Sequence, residues 1–243
     1  MPRLFFLSPD LLMLLPILSL LALAAPADTI TFTGDLGFVN TSGNTEVTTV
    51  NVGNKLELAA GGWGVVQTFG VIYGTTEGET STSLWRGSVR GDRALAPRLG
   101  LFLLSEFERN TFAGISSRYA QSAGIAAKLI DASRDKLNAE VGGGYVWQNA
   151  TPGSADLTFA MARGALMYTR TLGEKATFGQ AVEFLPNLEN GTDLRINSET
   201  SLTAPIAAGI SMKASYVIRY DGLPEPTFEK TDRILTTGLQ VTF

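Results

Sequence analysis

Leu235-Thr-Thr-Gly-Leu-Gln-Val-Thr-Phe243 decides how the rest of the chain is read. Successive side chains of a strand point to opposite faces. Leu235, Thr237, Leu239, Val241 and Phe243 therefore share one face, and Thr236, Gly238, Gln240 and Thr242 share the other. The run ends on an aromatic in mid-strand. An edge strand of a soluble protein can alternate in the same way. A transmembrane β-barrel gives the pattern a purpose, because its closing strand is paired along its length and its outward face meets lipid. Phe243 also resembles the signal by which bacterial barrel-assembly machinery recognises its clients, which makes that machinery an expected partner during biogenesis.

The other end of the chain points the same way. Arg3 is followed by a nearly pure apolar run over 11–25 (LLMLLPILSLLALAA). Ala25-Pro26-Ala27 before Asp28 fits a small-x-small cleavage site, with Ala22-Leu23-Ala24 as an alternative. These features predict a cleaved secretory signal peptide over 1–27 and one mature domain over 28–243. The apolar run is short, contains Pro16 and lacks stop-transfer charges, so a membrane anchor is not expected. Asp10 is unusual in a signal peptide, and a later start codon would remove it.

Composition narrows the function classes. The chain has 19 basic and 23 acidic residues; cleavage after Ala27 removes Arg3 and Asp10 and keeps the net charge at −4. A nucleic-acid binder would show a clustered basic excess. There are no cysteines, hence no disulfides or thiolate metal sites. There are no histidines, which removes the commonest general base, the usual zinc ligand and every Ser-His pair. No cofactor is expected, and beyond Ala25 no stretch is long and apolar enough for a spanning helix.

The body reads as twelve alternating segments, placed at 29–40, 45–59, 62–74, 81–93, 98–109, 116–130, 136–149, 155–171, 175–187, 192–204, 207–221 and 230–243. Trp63, Val65, Phe69, Val71 and Tyr73 share a face. So do Leu137, Ala139, Val141, Tyr145 and Trp147, opposite Lys136, Asn138, Glu140 and Gln148. The segments near 155–171 and 175–187 alternate poorly. Many segments reach 13 residues or more, beyond the five or six usual in sandwiches and enough for a tilted membrane strand of about 9–11. Trp63, Tyr73, Trp147, Tyr168, Tyr220 and Phe243 lie near segment ends, as interfacial girdles do. Turns alternate between longer (41–45, 75–80, 110–116, 149–154, 187–193, 222–230) and tight (60–62, 94–97, 132–135, 172–175, 204–207). This predicts an all-β, up-and-down antiparallel transmembrane barrel of about twelve strands, in the bacterial outer membrane, with periplasmic termini and lipid and lipopolysaccharide as surroundings.

Several motifs together resemble a known family. They are Gly37-Phe-Val-Asn-Thr-Ser-Gly-Asn-Thr45, Tyr73-Gly74, Phe107 to Arg118, Glu140-Val-Gly-Gly-Gly-Tyr145, Thr192-Asp-Leu-Arg195, Leu202-Thr-Ala-Pro205, Tyr216-x-x-x-Tyr220 and Lys230-Thr-Asp232. Their order and spacing are similar to the YdiY-like domain of unknown function, a family labelled salt-induced outer-membrane protein. The resemblance implies a Gram-negative outer-membrane barrel and a link to salt or envelope stress. It brings no catalytic residues.

The expected lumen-lining charges are Arg86, Arg90, Glu106, Glu108, Arg118, Glu140, Glu183, Arg195, Glu199, Lys213 and Arg219, with Asp92, Lys128, Lys136 and Asp221 on the same faces. A charge at mid-membrane on the lipid face costs about 2–4 kcal/mol, so these should point inward or lie near an interface. They form either a polar pathway or a set of mutually paired ions that plugs the barrel. Glu106 and Glu108 point the same way and have the spacing for acid catalysis or cation binding, but a partner such as Arg118 on the next strand is the simpler account. Gly142-Gly143-Gly144 lacks the following helix of a dinucleotide fingerprint and suits a tightly curved wall. Gly43-Asn44 suits a hairpin turn. Asn149-Ala-Thr151 and Asn190-Gly-Thr192 are chance sequons. The expected function is non-enzymatic, a narrow pore or a structural envelope barrel. The alternatives are a His-free hydrolase built on carboxylates such as Glu106, Glu108 or Glu140, and a ligand-binding or sensing barrel using the outer loops.

Overall fold

The computed structural model describes residues 29–41, 47–77, 79–110, 113–151, 155–224 and 228–243. The expected signal peptide and the Gly43-Asn44 turn lie outside the described residues. Twelve strands follow in order: β1 Thr29–Thr41, β2 Val47–Ala60, β3 Trp63–Thr76, β4 Glu79–Ala96, β5 Leu99–Asn110, β6 Ile115–Asp131, β7 Asp135–Ala150, β8 Leu157–Leu172, β9 Ala176–Pro186, β10 Leu194–Ala207, β11 Ile210–Asp221 and β12 Thr231–Thr242. Each pairs antiparallel with its sequence neighbour, and β1 pairs with β12 to close the barrel. Closure leaves no open edge, so every strand finds backbone partners on both sides.

The seam is in register from Thr33 opposite Thr242 to Gly37 opposite Gly238. It is extended by Phe32 and Phe243, which exchange backbone hydrogen bonds of 3.1 and 2.9 Å. Their rings pack at 6.4 Å between centroids. β12 alternates as expected, with Leu235, Thr237 and Leu239 exposed and Ile234, Thr236, Gly238 and Gln240 partly covered.

The outer surface is apolar around the ring. Leu103 on β5, Val141 on β7, Leu166 on β8, Leu202 on β10 and Leu235 on β12 are all exposed, Val141 by 66%. A soluble protein would bury such a belt; on a closed barrel it faces hydrocarbon. Trp63 and Phe243 lie at the end that carries the chain termini, and Tyr73, Trp85 and Trp147 toward the other, all exposed.

Two expected turns are displaced. β10 continues through 204–207 with a register shift between Pro205 and Ala207. The chain reverses at Ala208-Gly209 instead, where Gly209 supplies a φ of 71°. The expected long turn at 75–80 is short, because β3 and β4 run on past a bulge at Gly74/Thr75 and leave only residues 77 and 78 between them.

At two places glycines lie against the neighbouring strand with no room for a side chain. Gly124 faces Gly142, and Ser122 faces Gly144, between β6 and β7. Gly37 faces Gly238 between β1 and β12. A Cβ on Gly144 would overlap the Gln121 carbonyl, and one on Gly238 the Leu36 carbonyl. The carbonyls of the neighbouring strand occupy the space a side chain would need, so only glycine fits at these positions.

Candidate functional site

Alternation points every second residue into the bore, and the bore divides into two unlike halves. On the side of β6 to β9 it is solid. Ala120, Val146, Phe159, Met161 and Leu185 form a buried apolar cluster in which Val146 is 0% exposed. Toward the termini end, ions and an aromatic ring continue the filling. Arg90 lies 2.8 Å from Glu140 and 2.7 Å from Asp92. Arg163 donates to the other Glu140 oxygen at 3.1 Å and also pairs with Glu183. Asn197 donates to the second Glu183 oxygen at 2.8 Å. The guanidinium groups of Arg90 and Arg163 lie over the Phe102 ring, 4.7 and 5.7 Å from its centroid. Charges buried this deeply need such partners, because burial removes their hydration.

On the side of β10 to β12 and β1 to β4 the interior holds a cavity of about 660 Å³. It extends from Pro224 and Phe228 at the long-loop end to Thr33 and Gln240 near the termini. Its wall carries Arg86, Glu106, Glu108, Arg118, Glu183, Arg195, Glu199, Lys213 and Arg219. Arg90, on β4, reaches instead to Glu140 on β7 and lies with it among the filling ions.

The cavity is bridged across its width. Arg219 Nη2 donates to both Glu108 oxygens at 2.7 Å. β11 and β5 stand six places apart in a ring of twelve, so this pair spans the bore. Arg118 lies 4.0 Å from Glu108 and 3.7 Å from Asp221, and its Nε donates to Gln148 at 2.7 Å. Lys213 meets Glu199 at 3.8 Å. The sequence expectation that a carboxylate of the 106/108 pair meets Arg118 holds for Glu108, but the closer partner comes from the opposite wall. Glu106 has no ion pair within 4.0 Å among the described residues. Lys128 lies exposed at the rim, 4.0 Å from Asp131, beside a register shift between Lys128 and Ile130.

Arg163 was not among the expected lumen charges. Its inward neighbours along β8 are Phe159, Met161 and Ala165, all buried, so the strand does not read as apolar-out and polar-in. The usable signal was the charge itself: an arginine in mid-strand is costly against lipid, which assigns it to the lumen.

A closed twelve-stranded antiparallel sheet with an apolar exterior and a charged bore defines a transmembrane β-barrel of the outer-membrane type, porin-like in fold. The chain belongs to the family described as Protein of unknown function, DUF481, whose model matches residues 34–243. No curated protein matches it. Among solved structures it is similar to the NanC porin, at 10% identity and a TM-score of 0.49, covering 86% of this chain and 97% of that one. It is also similar to the translocator domain of the autotransporter NalP from Neisseria meningitidis (14% identity, TM-score 0.44, 96% and 95% covered). A third is the CymD monoaromatic hydrocarbon channel (6% identity, TM-score 0.43, 98% and 93% covered). These are likenesses of architecture alone.

Proposed function

We propose that this is a non-enzymatic outer-membrane pore of narrow bore, constricted where Glu108 and Arg219 meet. The observation that carries this reading is the cavity beside the filled half, which continues past that bridge from Phe228 to Gln240. In this reading the short turns and the termini face the periplasm, as barrels of this type place them. Outer-membrane lipid and lipopolysaccharide surround the belt, and the barrel-assembly machinery recognises Phe243. The resemblance noted above adds salt or envelope stress as the occasion for its use. A carboxylate hydrolase is less well supported, since Glu108 and Glu140 are each held by arginines in the resting protein.

Purified, folded protein in a planar bilayer tests the reading. Small, steady conductance steps are expected, and Arg219→Ala should enlarge them by opening the constriction. Silence from both proteins would mean a structural barrel with a closed lumen.

A further inference from the structure

Two ion pairs cross the bore near its long-loop end. Arg219 on β11 donates to both oxygens of Glu108 on β5 at 2.7 Å. Arg118 on β6 reaches the other way, to Asp221 on β11 at 3.7 Å. In meeting Arg118, Asp221 turns from its own cross-strand neighbour Arg195, and among the described residues no carboxylate oxygen lies within 4.0 Å of Arg195. Along the walls, the same four side chains have a second set of partners. Glu108 stands directly opposite Arg118 on the adjacent strand, already 4.0 Å from it, and opposite Arg86 on its other side. Asp221 follows Arg219 at the next inward position of β11, and Asp232 on β12 is the cross-strand neighbour of Arg219. All of these except Arg195 have their alternatives within the one cavity, whose wall includes Arg86, Glu108, Arg118, Arg219, Asp221 and Asp232.

Removing one partner of a buried pair is costly because the other charge is left uncompensated. Exchange of partners avoids that cost here. With Glu108 on Arg118, and Arg219 on Asp221 and Asp232, no charge is stranded and nothing spans the bore. The exchange needs only rotamer changes of long side chains that border an open cavity. Cross-strand neighbours on one face stand about 4.5–5.5 Å apart at Cβ, well within the reach of an arginine. Asp232 is a partner held in reserve: it is exposed, and among the described residues no basic nitrogen lies within 4.0 Å of it. The Nε of Arg219 is buried with no hydrogen-bond partner, so its seat on Glu108 leaves part of the guanidinium unsatisfied.

We propose that these side chains form a latch, which opens the bore by exchanging the two cross-bore pairs for pairs along the walls, with Asp232 holding the released Arg219. Such a set of alternative partners is a two-state element of the kind that switches are built on. The latch rests on the pore reading and names how the constriction of that pore opens.

Two measurements let the latch and the pore fail separately, each variant being first checked for heat-modifiable migration. The first is a stability cycle on the folded full chain, unfolded by guanidinium from lipid vesicles. Asp232→Asn removes a side chain that has no ion partner in the latched state, and alone it is expected to change the unfolding constant by less than about threefold. Glu108→Gln strands Arg219 and makes it rely on its own wall. Its effect on the unfolding constant is expected to be about fivefold or more larger in the Asp232→Asn background than in the parent. Equal effects in the two backgrounds would overturn the exchange, whether or not the barrel conducts. The second is swelling of proteoliposomes in a neutral pentose, which reads the width of the bore without a charge on the solute. Arg219→Gln is expected to swell faster than the parent, and Asp232→Asn severalfold slower, because Arg219 loses the partner that holds it aside. Asp131→Asn removes an equal charge at the opposite rim, beside Lys128, and should match the parent. Swelling of Asp232→Asn at the parent rate would overturn the latch and leave the pore standing. No swelling by any of the four proteins, with the stability cycle coupled as expected, would remove the pore and leave the exchange standing in a closed lumen.

Discussion

Glu108 and Arg219 are 111 residues apart in the chain, and both oxygens of the carboxylate lie 2.7 Å from one guanidinium nitrogen. The bond ties opposite walls of the barrel, so it can act as a strut as well as a constriction. Removing one partner of a buried pair leaves the other charge uncompensated, which costs about 3–5 kcal/mol in a dry interior. Glu108 and Arg219 border the cavity rather than lying in a dry interior, which lowers that figure. Glu108→Gln is expected to cost about 2–3 kcal/mol in guanidinium unfolding from lipid vesicles. Adding Arg219→Gln should recover part of the loss, since the stranded cation is then gone. Strictly additive costs would show that the two side chains do not act on each other.

The close approach of the glycines of β7 to β6 gives a second prediction. A methyl group on Gly144 would overlap the backbone carbonyl of Gln121, which cannot move without breaking the ladder. Gly144→Ala is expected to cost about 3 kcal/mol or more, at the upper end of overpacking effects, and to reduce the heat-modifiable folded fraction. Gly164→Ala on β8, where nothing lies within 4 Å of the new methyl, should fold like the parent. Equal behaviour of the two would mean that Gly144 has room for a side chain.

The strands were legible because alternation is local. The facing of β7, for instance, follows from Ala139, Val141, Tyr145 and Trp147 against Glu140 and Gln148, and Val141 and Trp147 are exposed while Glu140 and Gln148 are buried. β8 was not legible in this way. Its inner residues pack on Val146 and Leu185 rather than on water, so both faces read as apolar. Ion partners were legible only between neighbours. The meeting of Glu108 with Arg219, and of Arg90 with Glu140, depends on ring closure and on how far each strand is staggered, neither of which is encoded in any single segment. The lack of a carboxylate at Arg195 is hidden for the same reason, since Asp221 stands opposite it and turns away.

Phe243 sits at the seam, 79% exposed, with its ring against Phe32 and its backbone bonded to that residue. Phe243→Ala keeps the backbone bonds and loses the ring contact, worth about 0.5–1.5 kcal/mol for an aromatic pair. Spontaneous folding into micelles should therefore weaken only by about that amount. Folded yield in the outer membrane of cells is expected to fall much further if assembly machinery reads the aromatic. Parallel losses in the two settings would assign Phe243 to packing alone.

The closing strand tests the facing of the whole barrel through two adjacent residues. Leu239 is 47% exposed and lies between Leu36 on β1 and Met212 on β11, both exposed on the same outer face. Gln240 points inward and donates to Asp35 at 3.0 Å. An arginine on the lipid face costs about 2–4 kcal/mol at mid-membrane and falls toward zero at the interface. Leu239 lies about 13 Å along the strand from Phe243 at the usual rise, and less in depth once the strand tilts. Leu239→Arg is thus expected to cost about 2 kcal/mol, the low end of that range. Gln240→Arg should cost less than about 1 kcal/mol, because Asp35 is already within hydrogen-bond reach of the side chain it replaces. Guanidinium unfolding from vesicles measures both. A larger cost at Gln240 than at Leu239 would place β12 one residue out of register, and with it the inward facing of Asp35, Thr236 and Gly238 that forms the cavity wall on this side.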